Sequence, residues 1–226
     1  ARSHQVVPVK RCLIQPEAAD KTAAAVGEWM RRYKVPAYDE ATGKGLVRHV
    51  YVRVNRKGES LCCVVINGRQ APREPELAAY VCAAVPHTAG VLVNSNTKRG
   101  NVILGEKYRT LWGRDYLMDT LCGLEFKLSV PSFYQVNRDQ AEALYGKALD
   151  YAGLTGRETV LDLYCGIGTI TLCLAKRAGR VIGAEIVPAA IRDAKENAAR
   201  NHIENAEFFC GDAAETAARL EAEGLR

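Results

Sequence analysis

The chain has 226 residues, 48% hydrophobic and 25% charged, an ordinary globular composition with room for one large or two small cores. No apolar run approaches the ~20 residues needed to span a bilayer, and Ala1–Lys10 lacks the basic-then-apolar pattern of a secretory signal. A membrane span is excluded, and eight scattered cysteines, two of them adjacent at Cys62–Cys63, favour reduced thiols and a cytoplasmic location over a disulfide framework. The formal charge of +5 is compatible with a polyanionic partner but does not single one out.

In chain order, Val6–Val9 reads as a brief strand. Pro16 stands where helix starts tolerate proline, and Ala18–Tyr33 has the alanine-rich composition of a helix. Gly45 opens an alternating run from Leu46 to Val54; Asn55–Gly58 is a turn and Ser60–Ile66 the return strand. Glu74–Ala84 is a second helix. A second hairpin is expected from Gly90–Asn94 and Asn101–Leu104, flanking Asn96-Thr-Lys-Arg-Gly100. Helix–strand–turn–strand thus appears twice, a pseudo-repeat packed as one α+β layer.

Leu124–Val130 is a further strand, and the character of the chain changes at Pro131. Asn137 followed by Gln140 predicts a capped helix to about Tyr151. Next come strand Thr159–Leu163, a glycine loop, helix Thr169–Ala178, strand Arg180–Ala184, helix Pro188–Asn201 and strand Ala206–Phe209. This βαβαβ order predicts half of a doubly wound parallel sheet. Two domains are expected: residues 1–130, an α+β domain with antiparallel hairpins that contacts RNA, and residues 131–226.

The run Val160-Leu-Asp162-Leu-Tyr-Cys-Gly166-Ile-Gly168 is an apolar strand that breaks into a glycine-rich turn. Gly166 and Gly168 permit a tight turn and close approach to a ligand. Glu185 ends the next strand, where a carboxylate can accept both hydroxyls of a ribose, and Asp212 follows the third strand, where it can meet an adenine edge. A dinucleotide site would put a third glycine where Thr171 stands. The spacing Asp-x-x-x-Gly-x-Gly suits a ligand with an amino-acid end and no pyrophosphate, which points to S-adenosylmethionine (SAM). The expected fold class is therefore α/β: a Rossmann-like SAM methyltransferase core, incomplete because it holds only the first half of the parallel sheet, preceded by the α+β domain.

Upstream lies Pro131-Ser-Phe133-Tyr-Gln135-Val-Asn137, read from its residues as a strand exit and helix cap in which Gln135 is a loop amide. Together with Leu163-Tyr164-Cys-Gly-Ile-Gly168-Thr169, it resembles the RNA uridine-5-methyltransferase family, which includes the 23S rRNA (uracil-5-)-methyltransferases and their tRNA relatives. The resemblance covers most of the chain and is strongest from Pro131 to Asp212. It implies SAM contacts from Gln135, Tyr164, Thr169, Glu185 and Asp212, beside Gly166 and Gly168. It also implies that Cys12, in Lys10-Arg-Cys12-Leu-Ile-Gln-Pro16, corresponds to the last of four cysteines that ligate a [4Fe–4S] cluster. One thiolate cannot hold a cubane, and Cys12 reads equally well as a small buried residue after a strand.

Uracil C5 is too weak a nucleophile to attack a SAM methyl group unaided. In the resembled family a cysteine adds to C6, C5 takes the methyl group, and a glutamate removes the C5 proton. The segments that carry that cysteine and glutamate do not occur before Arg226. Cys165, Cys173 and Cys210 are poor substitutes, so no catalytic residue is assigned. The expectation is a fragment of a longer enzyme, inactive alone, with strand Thr159–Leu163 left as an apolar sheet edge.

Arg56-Lys57 and Lys98-Arg99 form two basic hairpin tips that can neutralise RNA phosphates, although turn tips are also polar simply because they are solvated. Tyr51 and Arg53 share one strand face and Arg48 points to the other. Three functions remain: a SAM-dependent RNA uridine-5-methyltransferase, with 23S rRNA preferred over tRNA on the likeness of the Cys12 segment and the intervening domain; another nucleic-acid or protein methyltransferase; or a non-catalytic RNA-binding module with a methyltransferase-like fold.

Overall fold

A computed structural model describes residue 9, residues 11–222 and residue 224. The strand expected at Val6–Val9 lies outside the described residues except for Val9. The chain divides into two compact units between Leu117 and Met118. This division precedes the change of sequence character at Pro131.

The first unit runs α1 (Glu17–Arg32), β1 (Val47–Val54), β2 (Ser60–Ile66), α2 (Glu74–Ala84), β3 (Thr88–Ser95) and β4 (Lys107–Gly113). The doubled helix–strand–strand order is as the sequence suggests. The four strands form one sheet in the order β1-β2-β3-β4. β1–β2 and β3–β4 are antiparallel, and β2–β3 is parallel because α2 makes the crossover. β2, an unbroken apolar run, is buried along its whole length, as expected of a strand covered on both faces. Val26 and Trp29 of α1 and Leu77 and Val81 of α2 pack onto Val64 and Val93 of the sheet. The Trp29 indole is fully buried and donates to the Arg73 carbonyl at 3.1 Å, satisfying its polar edge.

The return strand of the second hairpin is Lys107–Gly113 and not Asn101–Leu104. Residues 101–104 are held as loop because the buried Asn96 amide donates to the carbonyls of Val102 (2.6 Å) and Ile103 (3.0 Å). Those side-chain bonds replace a strand ladder.

The division falls within the first strand of a hairpin, β5 (Tyr116–Leu121) and β6 (Leu124–Ser129). Cys122 (φ 52°) and Gly123 (φ 74°) turn it, with both central residues at positive φ as in a type I′ turn. Asn201 of the helix α5 (Pro188–Arg200) C-cap docks β6: its side chain accepts from the Glu125 amide (2.8 Å) and donates to the Glu125 carbonyl (2.7 Å). The buried Asn197 accepts from the Lys127 amide at 2.8 Å and donates to Ile167 O at 3.2 Å. Two asparagine side chains thus stand in for a neighbouring strand.

Helix α3 (Arg138–Ala152) follows, capped by Asn137, whose side chain accepts from the Gln140 amide at 3.2 Å. Then come β7 (Thr159–Leu163), α4 (Thr169–Ala175), β8 (Arg180–Glu185), α5, β9 (Ala206–Cys210) and α6 (Ala213–Ala222). The parallel sheet has the order β7-β8-β9, which is the predicted βαβαβ. Helix α4 stops at Ala175 because Asn205 donates to the carbonyls of Ala175 (2.9 Å) and Ala178 (3.0 Å) and caps its C-terminal end. β7 is an edge of this sheet, with Leu161 39% and Leu163 38% exposed, the apolar edge the sequence predicts.

Candidate cofactor site and basic surfaces

The site is built where β7 ends. The backbone turns through Tyr164 (φ 69°), Gly166 (φ 56°) and Gly168 (φ 85°) before α4 begins, a succession of left-handed conformations that favours glycine. The two glycines are required for different reasons. A Cβ on Gly168 would lie 3.2 Å from Phe208 Cζ and 3.4 Å from Ala194 Cβ, whereas a Cβ on Gly166 would point into open space. Gly168 lets the loop pack onto the sheet and α5; Gly166 leaves room on the outer side.

Glu185, at the carboxyl end of β8, spans the loop from beside it. Its Oε2 accepts from the Gly166 amide at 3.2 Å and its Oε1 from the Val187 amide at 3.0 Å. Each carboxylate oxygen has a second lone pair, so the group can still accept two ligand hydroxyls. The Gly211 amide donates to the Glu185 carbonyl at 3.1 Å, which brings the next residue, Asp212, to the same sheet edge. Asp212 is exposed, and its Oδ1 accepts from Ala214 N (2.8 Å) and Glu215 N (3.2 Å), capping α6. Both bonds fall on one oxygen.

Asp162 lies deeper, bonded to the Thr171 hydroxyl. Burial pushes its carboxyl above the usual range, opposed by hydrogen bonds from Thr171 and reinforced by the nearby Glu185 charge. Thr171, where a dinucleotide site would carry glycine, is therefore a partner for this carboxylate. The Thr169 hydroxyl pairs with Tyr145 OH at 3.1 Å.

Gln135 is half-buried in the segment between β6 and α3. That segment is clasped to α5: Ser129 Oγ and Ser132 Oγ lie 2.6 Å apart and donate to Asp193 Oδ2 at 3.2 and 3.1 Å. The clasp walls a cavity of about 140 Å³ that also takes in Phe133, Gly166, Glu185 and Val187. Gln135 does not line this cavity. Around it Phe133 is 74%, Tyr164 76% and Ile186 64% exposed. Ile186 was not picked out from sequence, and Phe133 was read only within the motif around Gln135; for Ile186, a large apolar residue directly after the strand-ending Glu185 was the available signal.

Burial raises the Cys165 thiol to about 12, and it also raises Cys173. Neither forms a thiolate readily, and the thiolate is the nucleophile. All eight cysteines are free. Cys12 lies just before α1, its amide donating to Asp20 at 3.2 Å. Among the described residues no three His, Cys, Asp or Glu side chains are grouped to hold a metal, so these residues do not by themselves fit an iron–sulfur cluster. No described helix is long and apolar enough to cross a membrane.

The two basic tips lie at opposite ends of the first unit's sheet. Val54 pairs with Ser60, placing Arg56-Lys57 beside the start of β3. Ile66 pairs with Ser95 and Ser95 with Lys107, placing Lys98-Arg99 at the other end. Strands of this length separate them by about 20–25 Å. Arg48 donates to the carbonyls of Asn96 (2.9 Å) and Lys98 (2.7 Å), which makes it a support of the loop. Arg53 stacks over Tyr51 at 5.3 Å, as their shared face predicts.

Residues 154–223 match a family model described as a methyltransferase domain, and the fold is that of a Rossmann-like methyltransferase. The chain is 43% identical over 226 residues to an uncharacterized RNA methyltransferase of Halalkalibacterium halodurans, covering all of this chain and 49% of the relative. It is 43% identical over 225 residues to another from Caldanaerobacter subterraneus, covering 99% and 50%. The chain is thus similar over residues 154–223 to a methyltransferase domain and over its whole length to about half of these RNA methyltransferases. It spans about half the length of the curated relatives it matches. The structure of a Pyrococcus abyssi tRNA (uracil-54, C5)-methyltransferase in complex with S-adenosyl-L-homocysteine superimposes with a TM-score of 0.76 at 22% identity, covering 92% of this chain and 50% of that one.

Proposed function

We propose that the chain is the cofactor-binding part of a SAM-dependent RNA methyltransferase that methylates C5 of a uridine. The observation that carries the SAM reading is the Glu185 carboxylate tied to the Gly166 amide, beside a glycine whose outer side is open. SAM, when bound, supplies an electrophilic methyl group. Glu185 would accept the ribose hydroxyls with its remaining lone pairs, and the exposed Ile186 and Phe133 would supply apolar surface for the adenine. Asp212 would receive the adenine amino group, and Gln135, Tyr164 and Thr169 would hold the cofactor as the family resemblance implies. Asp162 would meet the amino-acid end, its pairing with Thr171 fixing its orientation.

The uridine-5 reading rests on the Phe133-Tyr-Gln135-Val-Asn137 segment and on the Leu163–Thr169 loop. The choice of 23S rRNA over tRNA rests on the Lys10–Pro16 segment and the intervening domain; a [4Fe–4S] cluster would rest on the resemblance of the Cys12 segment alone, with Cys12 as one ligand.

Calorimetry with SAM tests the cofactor reading: wild type binds and Glu185→Ala loses at least tenfold in affinity, two ribose hydrogen bonds being worth about 1 kcal/mol or more each. Equal affinities would remove Glu185 from the site. Nucleoside analysis of 23S rRNA and tRNA after incubation with labelled SAM and the protein at the length of its curated relatives tests the acceptor; this chain by itself is expected to transfer no methyl group to uridine. 5-Methyluridine in the 23S rRNA supports the full reading, the same product in tRNA alone corrects the substrate, and a label on any other base overturns the uridine-5 assignment.

A further inference from the structure

At the end of the first unit's sheet that carries Lys98, a cavity of about 650 Å³ is lined by Arg69, Lys98, Lys107 and Arg109, with Glu106 as its one carboxylate. We infer that this cavity is a phosphate-binding site for the RNA backbone, held by Arg69, Lys98 and Lys107, in which a phosphate competes with Glu106 for Lys98. The inference rests on the RNA methyltransferase reading and names the surface by which the first unit grips its substrate.

The four cations play different parts. Arg109 is already committed: its guanidinium grips Glu74 through two nitrogens, one bond at 2.7 Å, and also donates to the Arg69 carbonyl at 3.1 Å. It shapes the wall and is neutralised. Lys98 is held by Glu106 at 2.8 Å, with both side chains at least 80% exposed, a pair that water and salt weaken. Lys98 holds the Glu106 carboxyl below its usual value, and Lys107 adds to the effect. An anion at the Glu106 position is therefore attracted by two lysines. A phosphate, with more charge and more acceptor oxygens, can take that place and add Arg69 as a further donor.

The wall is preorganised. The fully buried Asn94 donates to Gly105 O (2.9 Å) and Lys107 O (3.2 Å) and accepts from Gly105 N at 2.7 Å. Asn96 holds the far side of the same loop and accepts from the Lys98 amide at 3.2 Å. Gly105 cannot be replaced, because a Cβ there would sit 2.0 Å from Ser95 O. Two buried amides and a close backbone approach thus fix a loop whose exposed face is cationic. A solvated turn tip does not require that rigidity, whereas a binding site gains affinity from it.

The test uses the full chain and a fluorescein-labelled single-stranded RNA, with anisotropy followed from 50 to 300 mM KCl. Arg69→Ala/Lys107→Ala should bind roughly tenfold or more weakly and flatten the slope of log K against log salt by roughly 0.7 per lost phosphate contact. Glu106→Gln should move in the opposite direction, binding more tightly with a steeper slope. Lys21→Ala/Arg31→Ala on α1 removes the same charge elsewhere and should leave the slope unchanged. Equal weakening by that control, or no change in either cavity variant, overturns the site. Wild-type protein that binds no RNA at any salt overturns the RNA reading itself.

Discussion

The Glu185 carboxylate accepts the Gly166 amide at 3.2 Å, so the end of β8 is tied to the loop that leaves β7. The bond holds a left-handed glycine in place while leaving its outer side empty. Loop geometry and acceptor position are therefore set together, before any ligand arrives.

Gly166 and Gly168 should respond differently to alanine. Gly166→Ala costs only the left-handed backbone penalty, about 1–2 kcal/mol, because its Cβ meets nothing. Gly168→Ala adds the contact with Phe208 at 3.2 Å and should lose more thermal stability. SAM affinity should nevertheless fall at least as far in Gly166→Ala. A Gly166 variant that binds SAM like wild type would show that the loop is no cradle.

Asn197→Ala leaves the Lys127 amide and the Ile167 carbonyl without their partner. Losing the partner of a buried group costs about 1–3 kcal/mol, and the Asn197–Ile167 bond is buried. Denaturant unfolding should report a loss within that range or above it. Asn201→Ala should cost less, because its bonds to Glu125 are solvent-exposed. The reverse order would contradict the docking scheme.

The Glu74–Arg109 pair predicts a pH dependence. The hydrogen bond from Arg109 holds the Glu74 carboxyl below its ordinary value of 4.5. The folded state therefore binds the proton less readily than the unfolded chain, and the pair's stability is fully present above about pH 4.5 and lost as pH falls through the lowered value. Arg109 is 39% exposed, so the contribution is about 1 kcal/mol. The Tm difference between wild type and Glu74→Gln should be constant from pH 7 to 5 and shrink below. A difference that persists at pH 3 would assign it to packing.

Thiol reactivity should follow burial. Iodoacetamide at pH 8 should label exposed Cys210 first, whereas Cys63 and Cys165, both raised to about 12 by burial, should stay unlabelled until the protein unfolds. Rapid labelling of Cys165 in the native protein, read by peptide mass mapping, would reopen it as a nucleophile.

Much of the second unit was legible because its signals are local. Apolar runs, a glycine loop and a strand-ending carboxylate lie within Val160–Asp212, and the structure places them as βαβαβ. β5 was not legible: its inward positions are Leu117, Asp119 and Leu121, and the charged Asp119 breaks the alternation. Asp119 is tolerated inside because Arg138 pairs with it at 3.2 Å, a partner on another element. Helix α6 was missed although Asp212 and the alanines after it were its signal.

Sequence alone determined the elements that depend on neighbours along the chain: the doubled helix–strand–strand order, the capped helix after Asn137, the glycine turn and Glu185 at a strand end. Tertiary structure alone decided what depends on register. It separated Arg56-Lys57 from Lys98-Arg99, because α2 returns the chain so that β3 runs parallel to β2. It also brought Arg69 and Lys107 to one cavity, and it distinguished the glycine that packs from the one that stays open. Pairing across a sheet joins residues by geometry and not by spacing, and no local pattern records which loops share an end.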